Sequence, residues 1–351
     1  MLDYKPPAVK SHNHKSSYGV NMPHLVPLTI ACDEYDRTRP IMTGRVQVDG
    51  CEVTYLPLPP EELFFRAFRY HEFDVAELSF NSFLMATSRD ACPYVAIPAF
   101  VSRHFRHSAI YIRTDRGINK PSDLKGKLVG LPEYQQTANV WMRGIFKEDF
   151  GVEPSDLHWR TGGQDEPGRD ERTPLQLPPS VDLQPISSTS TLNQMLIDGE
   201  LDAVFSAREM ACYVEGAPNI GLMFPNYRDV EADYYSRTRN FPIMHLVGIK
   251  KELVARYPWL PGTVYKAFSQ AKALAIADMR AMSAKKVTLP WPELNVDERL
   301  AAGQDLWRYG IAESMHEIQT LARYSYEQGL ATRILTPEEI FHPSVFDVSK
   351  T

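Results

Sequence analysis

Acid/base chemistry near neutral pH needs histidine or a perturbed carboxyl, and this chain offers both beside strand-like segments. His107 and His245 each adjoin such a segment and are the first acid/base candidates, because the ordinary imidazole pKa lies close to neutrality. A histidine at a strand end also serves as a plain hydrogen-bonded structural residue, and that alternative stands beside the catalytic one. Glu77 and Glu133 each follow a strand-like run, from where they would face one cleft from opposite lobes. Closed into a dry site, such a carboxyl has a raised pKa and acts as a proton donor. The plainer roles are a salt-bridge partner for Glu77 and a helix N-terminal carboxylate for Glu133.

Anion capture is the second theme. Arg37, Arg106 and Arg208 occupy loops or strand ends, and a guanidinium fork binds a carboxylate through two parallel hydrogen bonds. In Leu131-Pro132-Glu133-Tyr134-Gln135-Gln136-Thr137 an apolar strand breaks at a proline and a polar turn opens directly into a helix. A helix start leaves unpaired N–H groups and a partial positive charge, so Tyr134, Gln136 and Thr137 form an expected anion cradle. The same turn also reads as simple helix capping. Ser79, with Glu77, sits at the carboxyl end of a strand, where ligands of open α/β sheets gather.

Other chemistries find little support. His104 and His107 are three apart on a strand-like or irregular segment and so point to different faces, without the companion spacing of a metal site. A divalent ion bridging a substrate diol is the one metal role worth keeping open. No Gly-x-x-x-x-Gly-Lys or Gly-x-Gly-x-x-Gly loop follows a strand, which excludes a phosphate loop or a dinucleotide fingerprint. Cys32, Cys51, Cys92 and Cys212 are widely spaced and read as reduced, mostly buried thiols.

The elements that must position these residues alternate between strand and helix. Strands are expected at 28–32, 53–56 and 73–78, with helices at 61–70 and 79–86 between and after them, the pattern of a parallel, doubly wound sheet. The strand 108–113 leaves this lobe and the strand 241–249 returns to it. The expected organisation is an arm at 1–27, a first lobe at 28–107 and 246–351, and a second lobe at 108–245 inserted into it. The second lobe holds a strand at 128–131, a helix from about 137 to 150, an ordered segment at 192–197 and strands at 202–206 and 221–224. Residues 161–185, rich in proline, glycine and charge, form an excursion longer than an ordinary connection. Helices at 257–280, 302–310 and 313–328 are expected to pack on the first lobe.

Composition narrows the function classes. The chain has 351 residues, 43% hydrophobic and 23% charged, enough for two lobes with separate cores. A net charge of −6 with both signs interspersed speaks against nucleic acid or an anionic membrane as partner. Residues 1–27 contain no apolar run of signal-peptide length, and no stretch is long enough to span a bilayer, so the expectation is a cytoplasmic protein. The polar arm and the long excursion both need a surface to lie against, which suggests a homo-oligomer.

Several separated motifs resemble the 4,5-dihydroxyphthalate decarboxylase family. They are Tyr35-Asp-Arg-Thr-Arg-Pro40, Phe105-Arg-His-Ser108, the turn Leu131 to Thr137, His158-Trp-Arg-Thr-Gly-Gly163, Trp307-x-Tyr-Gly-Ile311 and Leu321-x-x-Tyr-Ser-Tyr-Glu-Gln-Gly-Leu330. The likeness spans about residues 28–345. It implies a two-lobed fold of the periplasmic-binding-protein type (type II), and the Leu-Lys-Gly-Lys run at 124–127 before a strand and an anion-binding helix is similar to the second lobe of such proteins. It also implies a carboxy-lyase acting on a small aromatic dicarboxylate without an organic cofactor. Two rivals share the scaffold: a solute-binding protein for an aromatic acid, and an enzyme resembling the pyrimidine-precursor synthase of thiamine biosynthesis. The latter would need pyridoxal phosphate and iron, and no cysteine-rich motif favours it.

Overall fold

The structure, a computed structural model, describes residues 25–172, 174–281, 286–301 and 305–348. Nearly all of the expected N-terminal arm lies outside them. Among the described residues eleven strands form two sheets. The first contains β1 (Val26–Cys32), β2 (Cys51–Pro57), β3 (Val75–Ser79), β4 (Tyr94–Arg103) and, much later in the chain, β11 (Ile243–Lys250), in the order β2-β1-β3-β11-β4. The second contains β5 (Ile110–Arg113), β6 (Leu128–Leu131), β7 (His158–Thr161), β8 (Asp182–Pro185), β9 (Ala203–Phe205) and β10 (Ile220–Leu222), in the order β10-β5-β9-β6-β7-β8. The chain therefore leaves the first sheet after β4 and re-enters it at β11.

Both sheets are mixed rather than purely parallel. β1 runs parallel to β2 and β3, but β11 is antiparallel to both β3 and β4, and β5 is antiparallel to β9 and β10. A strand that returns from an inserted lobe enters the sheet from the opposite end, and the expected parallel sheet omitted that reversal. The strand β4 went unread because Pro98 interrupts an apolar run, and proline cannot donate to a ladder. The fold accommodates it with an irregularity: His245 pairs with Ser102 but Val247 pairs with Ile97. The freed carbonyls are used, since Gly310 N–H donates to Pro98 O (2.9 Å) and the Trp307 indole to Phe100 O (3.0 Å). Those bonds hold residues 305–310 in an irregular course where a helix was expected; the flanking helices are Pro292–Ala301 and the tight turn Ala312–Ser314, and 302–304 lie outside the described residues. His158–Thr161, the first part of the motif at 158–163, is the strand β7, and the helix Tyr227–Thr238 had no sequence expectation.

The helices behave as their apolar spacing dictates. Pro60–Tyr70 starts on a proline pair, buries Leu63, Phe64 and Ala67, and ends at His71 in the left-handed region (φ 51°). The long helix Leu260–Arg280 packs on β4 and on the turn of helix at Arg39–Met42, within the first lobe as expected. The helix Met315–Glu327 does not stay there: it touches both Phe80–Ser88 of the first lobe and Thr137–Phe150 of the second. Arg103, buried at the end of β4, fixes this region by donating to Phe241 O (2.8 Å), Arg308 O (2.9 Å), Ser314 Oγ (2.7 Å) and Glu317 Oε1 (3.2 Å). Across the lobes the Trp141 indole donates to Ile243 O (3.0 Å) and Arg143 Nε to Gln328 Oε1 (2.8 Å).

Close approach of the Thr137–Phe150 and Met315–Glu327 helices depends on one glycine. A Cβ built on Gly144 would lie 2.2 Å from the Tyr324 ring, which is itself buried. Gly144→Ala is therefore expected to destabilise the protein by roughly 1–3 kcal/mol through overpacking. Urea unfolding checks this, and an unchanged midpoint would show that the ring can shift freely.

Candidate active site

Glu77 is fully buried in the middle of β3, two residues before the strand ends at Ser79, and four donors converge on it. Its Oε1 accepts from the Tyr35 hydroxyl (2.8 Å) and from His245 Nδ1 (2.6 Å). Its Oε2 accepts from the Asp33 amide (3.0 Å) and the Cys32 thiol (3.3 Å). The strand register explains the convergence. Val247 on β11 is opposite Glu77 and His245 is opposite Ser79, so the alternation of side chains along a strand places Glu77, Ser79 and His245 on one face. Burial pushes the Glu77 pKa up, yet the hydrogen bond and charge of His245, the Asp33 amide and the Tyr35 hydroxyl outweigh it, holding the carboxyl below its ordinary value. The same burial, with the Glu77 charge beside them, raises the Tyr35 hydroxyl and the Cys32 thiol, so both stay protonated donors. With Nδ1 engaged, His245 presents Nε2 to the cleft, its ring edge-on to Phe64 with centroids 4.8 Å apart.

That cleft is a cavity of about 200 Å³ between the lobes, which His245 lines together with Ser79, Phe64, Arg106, Gln136, Thr137, Arg172 and Arg208. The helix Thr137–Phe150 begins at its wall. Ser79 Oγ and Thr137 Oγ1 lie 2.9 Å apart, and the Asn81 amide donates to Thr137 Oγ1 (3.0 Å), closing the lobes at the cradle. Arg106 is the main charge. Its Nε meets Met244 Sδ (3.3 Å) and one terminal nitrogen meets Ala207 O (3.3 Å), while no carboxylate pairs with it among the described residues. Burial pulls its guanidinium down to about 10, opposed by the nearby Glu231 carboxylate, so it is charged at neutral pH and short of an anion.

The excursion covers the adjoining face. Arg169 donates to Glu133 Oε1 through Nε (3.0 Å) and to Glu61 Oε2 (3.0 Å), and Arg172 donates to the same Glu133 oxygen (2.8 Å) while lying over the Phe64 ring (5.6 Å). Glu61 and Phe64 belong to the first lobe and Glu133 to the turn after β6 in the second, so these arginines span the cleft. Glu171 accepts from the Tyr134 amide. The excursion thus finds its surface within its own chain.

Several expected site residues stand elsewhere. His107 is buried between Phe224 and Tyr234 (ring centroids 5.5 and 5.2 Å), pulled down to about 4 mainly by burial, and does not line the cavity. Its single turn of tight helix, His107–Ala109, aims the ring into the second lobe's core. Tyr134 likewise points inward, with the Arg143 guanidinium 3.6 Å from its ring centroid; only its neighbours Gln136 and Thr137 reach the cleft. Arg37 is sandwiched between the Tyr35 and Trp307 rings, 4.1 Å from each centroid, and its Nε is spent on Val101 O (2.7 Å). Glu133 is an anchor for two arginines rather than a proton donor. Glu77, Ser79, His245, Arg106, Arg208, Gln136 and Thr137 do come together. Sequence reasoning missed Arg169 and Arg172, whose signal was the dense charge of Arg169-Asp-Glu-Arg172 in a loop too long to be a mere connection, and Tyr35, whose hydroxyl braces Glu77.

Comparison with known proteins settles the family. A 4,5-dihydroxyphthalate decarboxylase of Comamonas testosteroni is 44% identical over 324 residues, covering 92% of this chain and 98% of its own length. The chain belongs to the 4,5-dihydroxyphthalate decarboxylase family. A second member, from Pseudomonas putida, is 45% identical over 208 residues, covering 59% of this chain and 81% of its own. No protein-family profile matches. Among solved structures, the periplasmic aliphatic sulphonate binding protein SsuA of Escherichia coli superposes with a TM-score of 0.52 at 13% identity, covering 92% of this chain and 99% of its own. The alkanesulfonate-binding protein SsuA of Xanthomonas axonopodis pv. citri, bound to MOPS, gives 0.50 at 14%, covering 91% and 97%. These establish that this decarboxylase-family chain has the two-lobed fold of periplasmic binding proteins.

Two carboxyls of the region shift in opposite directions, and pH should separate them. Glu77 sits below its ordinary value, so its stabilisation is present above about pH 4.3 and is lost as pH falls further. Burial, joined by the Glu133 charge, pushes Glu171 up to about 7, so the native state binds a proton that the unfolded chain has released, and stability falls as pH rises toward 7. Glu171→Gln should therefore gain urea resistance relative to wild type between pH 5 and pH 8. An identical difference at both pH values would refute the assignment.

Proposed function

We propose that the cavity beside His245 converts 4,5-dihydroxyphthalate to protocatechuate and CO2. The observation that carries this reading is a Glu77–His245 pair opening onto the same closed cavity as Arg106, a buried cation without a carboxylate partner among the described residues. Family membership supplies the substrate named for the relatives; the pair and the cation supply a proton donor and an anion hold for it.

In that substrate each carboxylate has a hydroxyl para to it. Loss of the hydroxyl proton raises electron density at the ring carbon bearing the departing carboxylate. Protonated His245 then delivers a proton from Nε2 to that carbon, giving a cyclohexadienone. The C–CO2 bond breaks, its electron pair restores the aromatic ring, the oxygen regains a proton, and CO2 leaves in place of the one proton consumed. Glu77, kept ionised by its donors, holds the imidazole by Nδ1 and stabilises its charged form before transfer. Arg106 and the start of the helix at Thr137 hold the carboxylate that stays. Closure at Ser79 and Thr137 keeps water from competing with the ring for the proton.

The scheme needs no organic cofactor, because the ring itself takes up the electron pair. Among the described residues no three metal-ligating side chains cluster, and the scheme, in which no diol-bridging ion takes part, expects full turnover after chelator treatment. No helix among the described residues is long and apolar enough to cross a membrane. The reading extends to a cytoplasmic homo-oligomer, which fractionation and light scattering check. The binding-protein fold favours a second reading, capture of an aromatic acid without turnover.

Incubating the protein with 4,5-dihydroxyphthalate and following protocatechuate and CO2 separates the two. His245→Asn and Glu77→Gln are each expected to lower kcat by about 10²–10⁴-fold, with His245→Asn still binding benzene-1,2-dicarboxylate. Turnover of His245→Asn within a few-fold of wild type would remove the pair from the mechanism.

A further inference from the structure

Substrate and product of this reaction differ by one carboxylate, so a site that favours the dianion and releases the monoanion needs a second cationic pole besides Arg106. Two other arginines line the cavity. Arg208 has a side chain 54% exposed and is held loosely by Glu61 (3.7 Å) and Asp165 (3.6 Å), a water-screened position suited to steering rather than to recognition. Arg172 is different: its side chain is 11% exposed, it lies over the Phe64 ring, and it reaches the cavity from the excursion.

Its partner makes exchange cheap. Glu133 Oε1 accepts from Arg172 and also from Nε and a terminal nitrogen of Arg169, so Glu133 keeps a bidentate cation if Arg172 turns away. A buried carboxylate left alone would impose a heavy penalty, and here it is never alone. We propose that Arg172 reads the second carboxylate of the substrate, trading Glu133 for it on binding and returning to Glu133 once that carboxylate has left as CO2. Arg172 is thus a specificity residue for the adjacent dicarboxylate, and its return to Glu133 leaves the monoanionic product held by Arg106 alone. The assignment rests on the decarboxylase reading for its substrate class.

The test uses the full chain, calorimetric binding of benzene-1,2-dicarboxylate and of benzoate, and turnover of 4,5-dihydroxyphthalate. Arg172→Gln is expected to weaken dicarboxylate binding by about tenfold or more, to leave benzoate within about twofold, and to raise KM far more than it lowers kcat. Arg169→Gln leaves Glu133 leaning on Arg172, so it should make the exchange costlier and lower the ratio of dicarboxylate to benzoate affinity, but by less than Arg172→Gln, which removes the cavity cation itself. Equal weakening of both ligands in Arg172→Gln, no weakening of either, or an Arg169→Gln ratio that falls as far, would overturn the assignment. If wild type yields no product while the dicarboxylate preference still depends on Arg172, the decarboxylase reading fails alone. If wild type turns over and the ratio ignores Arg172, the specificity assignment fails alone.

Discussion

A carboxylate with no exposure to water must be surrounded by donors or lose its charge, and the burial of Glu77 imposes that constraint on everything near it. Its four donors come from the end of β1, the loop after it and β11. β11 is the strand that returns from the inserted lobe, so the local requirement of one side chain is also a long-range requirement on topology. The chain passes through the second lobe before β11 pairs antiparallel with β3, and that pairing is what brings His245 to Glu77. The acid/base pair is therefore a product of the two-lobed connection and not of any local motif. It places the proton-handling group on the strand that returns from the second lobe to the first sheet.

The cleft is closed by unlike means at its two sides. At the cradle, neutral hydroxyls and amides meet across 2.9–3.0 Å, Ser79 with Thr137 and Asn81 with Thr137. At the excursion, the lobes are joined by ion pairs running from Glu61 through Arg169 to Glu133. The hydroxyl contacts are already satisfied across the cleft, whereas ion pairs can be exchanged with an incoming anion. An anionic substrate therefore has a physical reason to enter beneath the excursion and to leave the cradle undisturbed. The bridging helix Met315–Glu327 holds both lobes from behind, which limits how far the cleft opens.

The sequence made the two-lobed plan legible because its signals are local: apolar strand runs, the Pro59-Pro60 helix start, the Leu131–Thr137 turn. Elements set by long-range pairing were not. β4 carries Pro98, and only the irregular register against β11 and the hydrogen bonds from Gly310 and Trp307 make that proline tolerable. Glu77 and His245 were legible as chemistry but not as a pair, since 168 residues separate them and their meeting depends on strand register. Charge alone misled at Arg37 and Glu133. A guanidinium or carboxylate near a cleft can be spent on aromatic rings or on a neighbour's charge, and sequence shows neither. His107 failed for a similar reason: a residue at a crossing point can turn into either lobe, and three residues of tight helix decided it.

The fold is shared with proteins that only bind, and the distance from binding to catalysis here is short. A binding lobe pair already supplies what an anion requires: a helix start, a buried arginine and closure against water. Such a site stabilises the ground state of a carboxylate and, left at that, would slow its loss. What turns the hold into a catalyst is a proton placed against the ring and a field that favours charge on the ring rather than on the departing group. Glu77 supports the first by keeping His245 oriented and able to carry charge. The second is met when Arg106 keeps the carboxylate that stays, while Arg172, lying over the Phe64 ring, exchanges the departing carboxylate for Glu133 as that group becomes neutral CO2. Asymmetry between the two carboxylate positions, more than the total positive charge in the cleft, is therefore what the site must maintain.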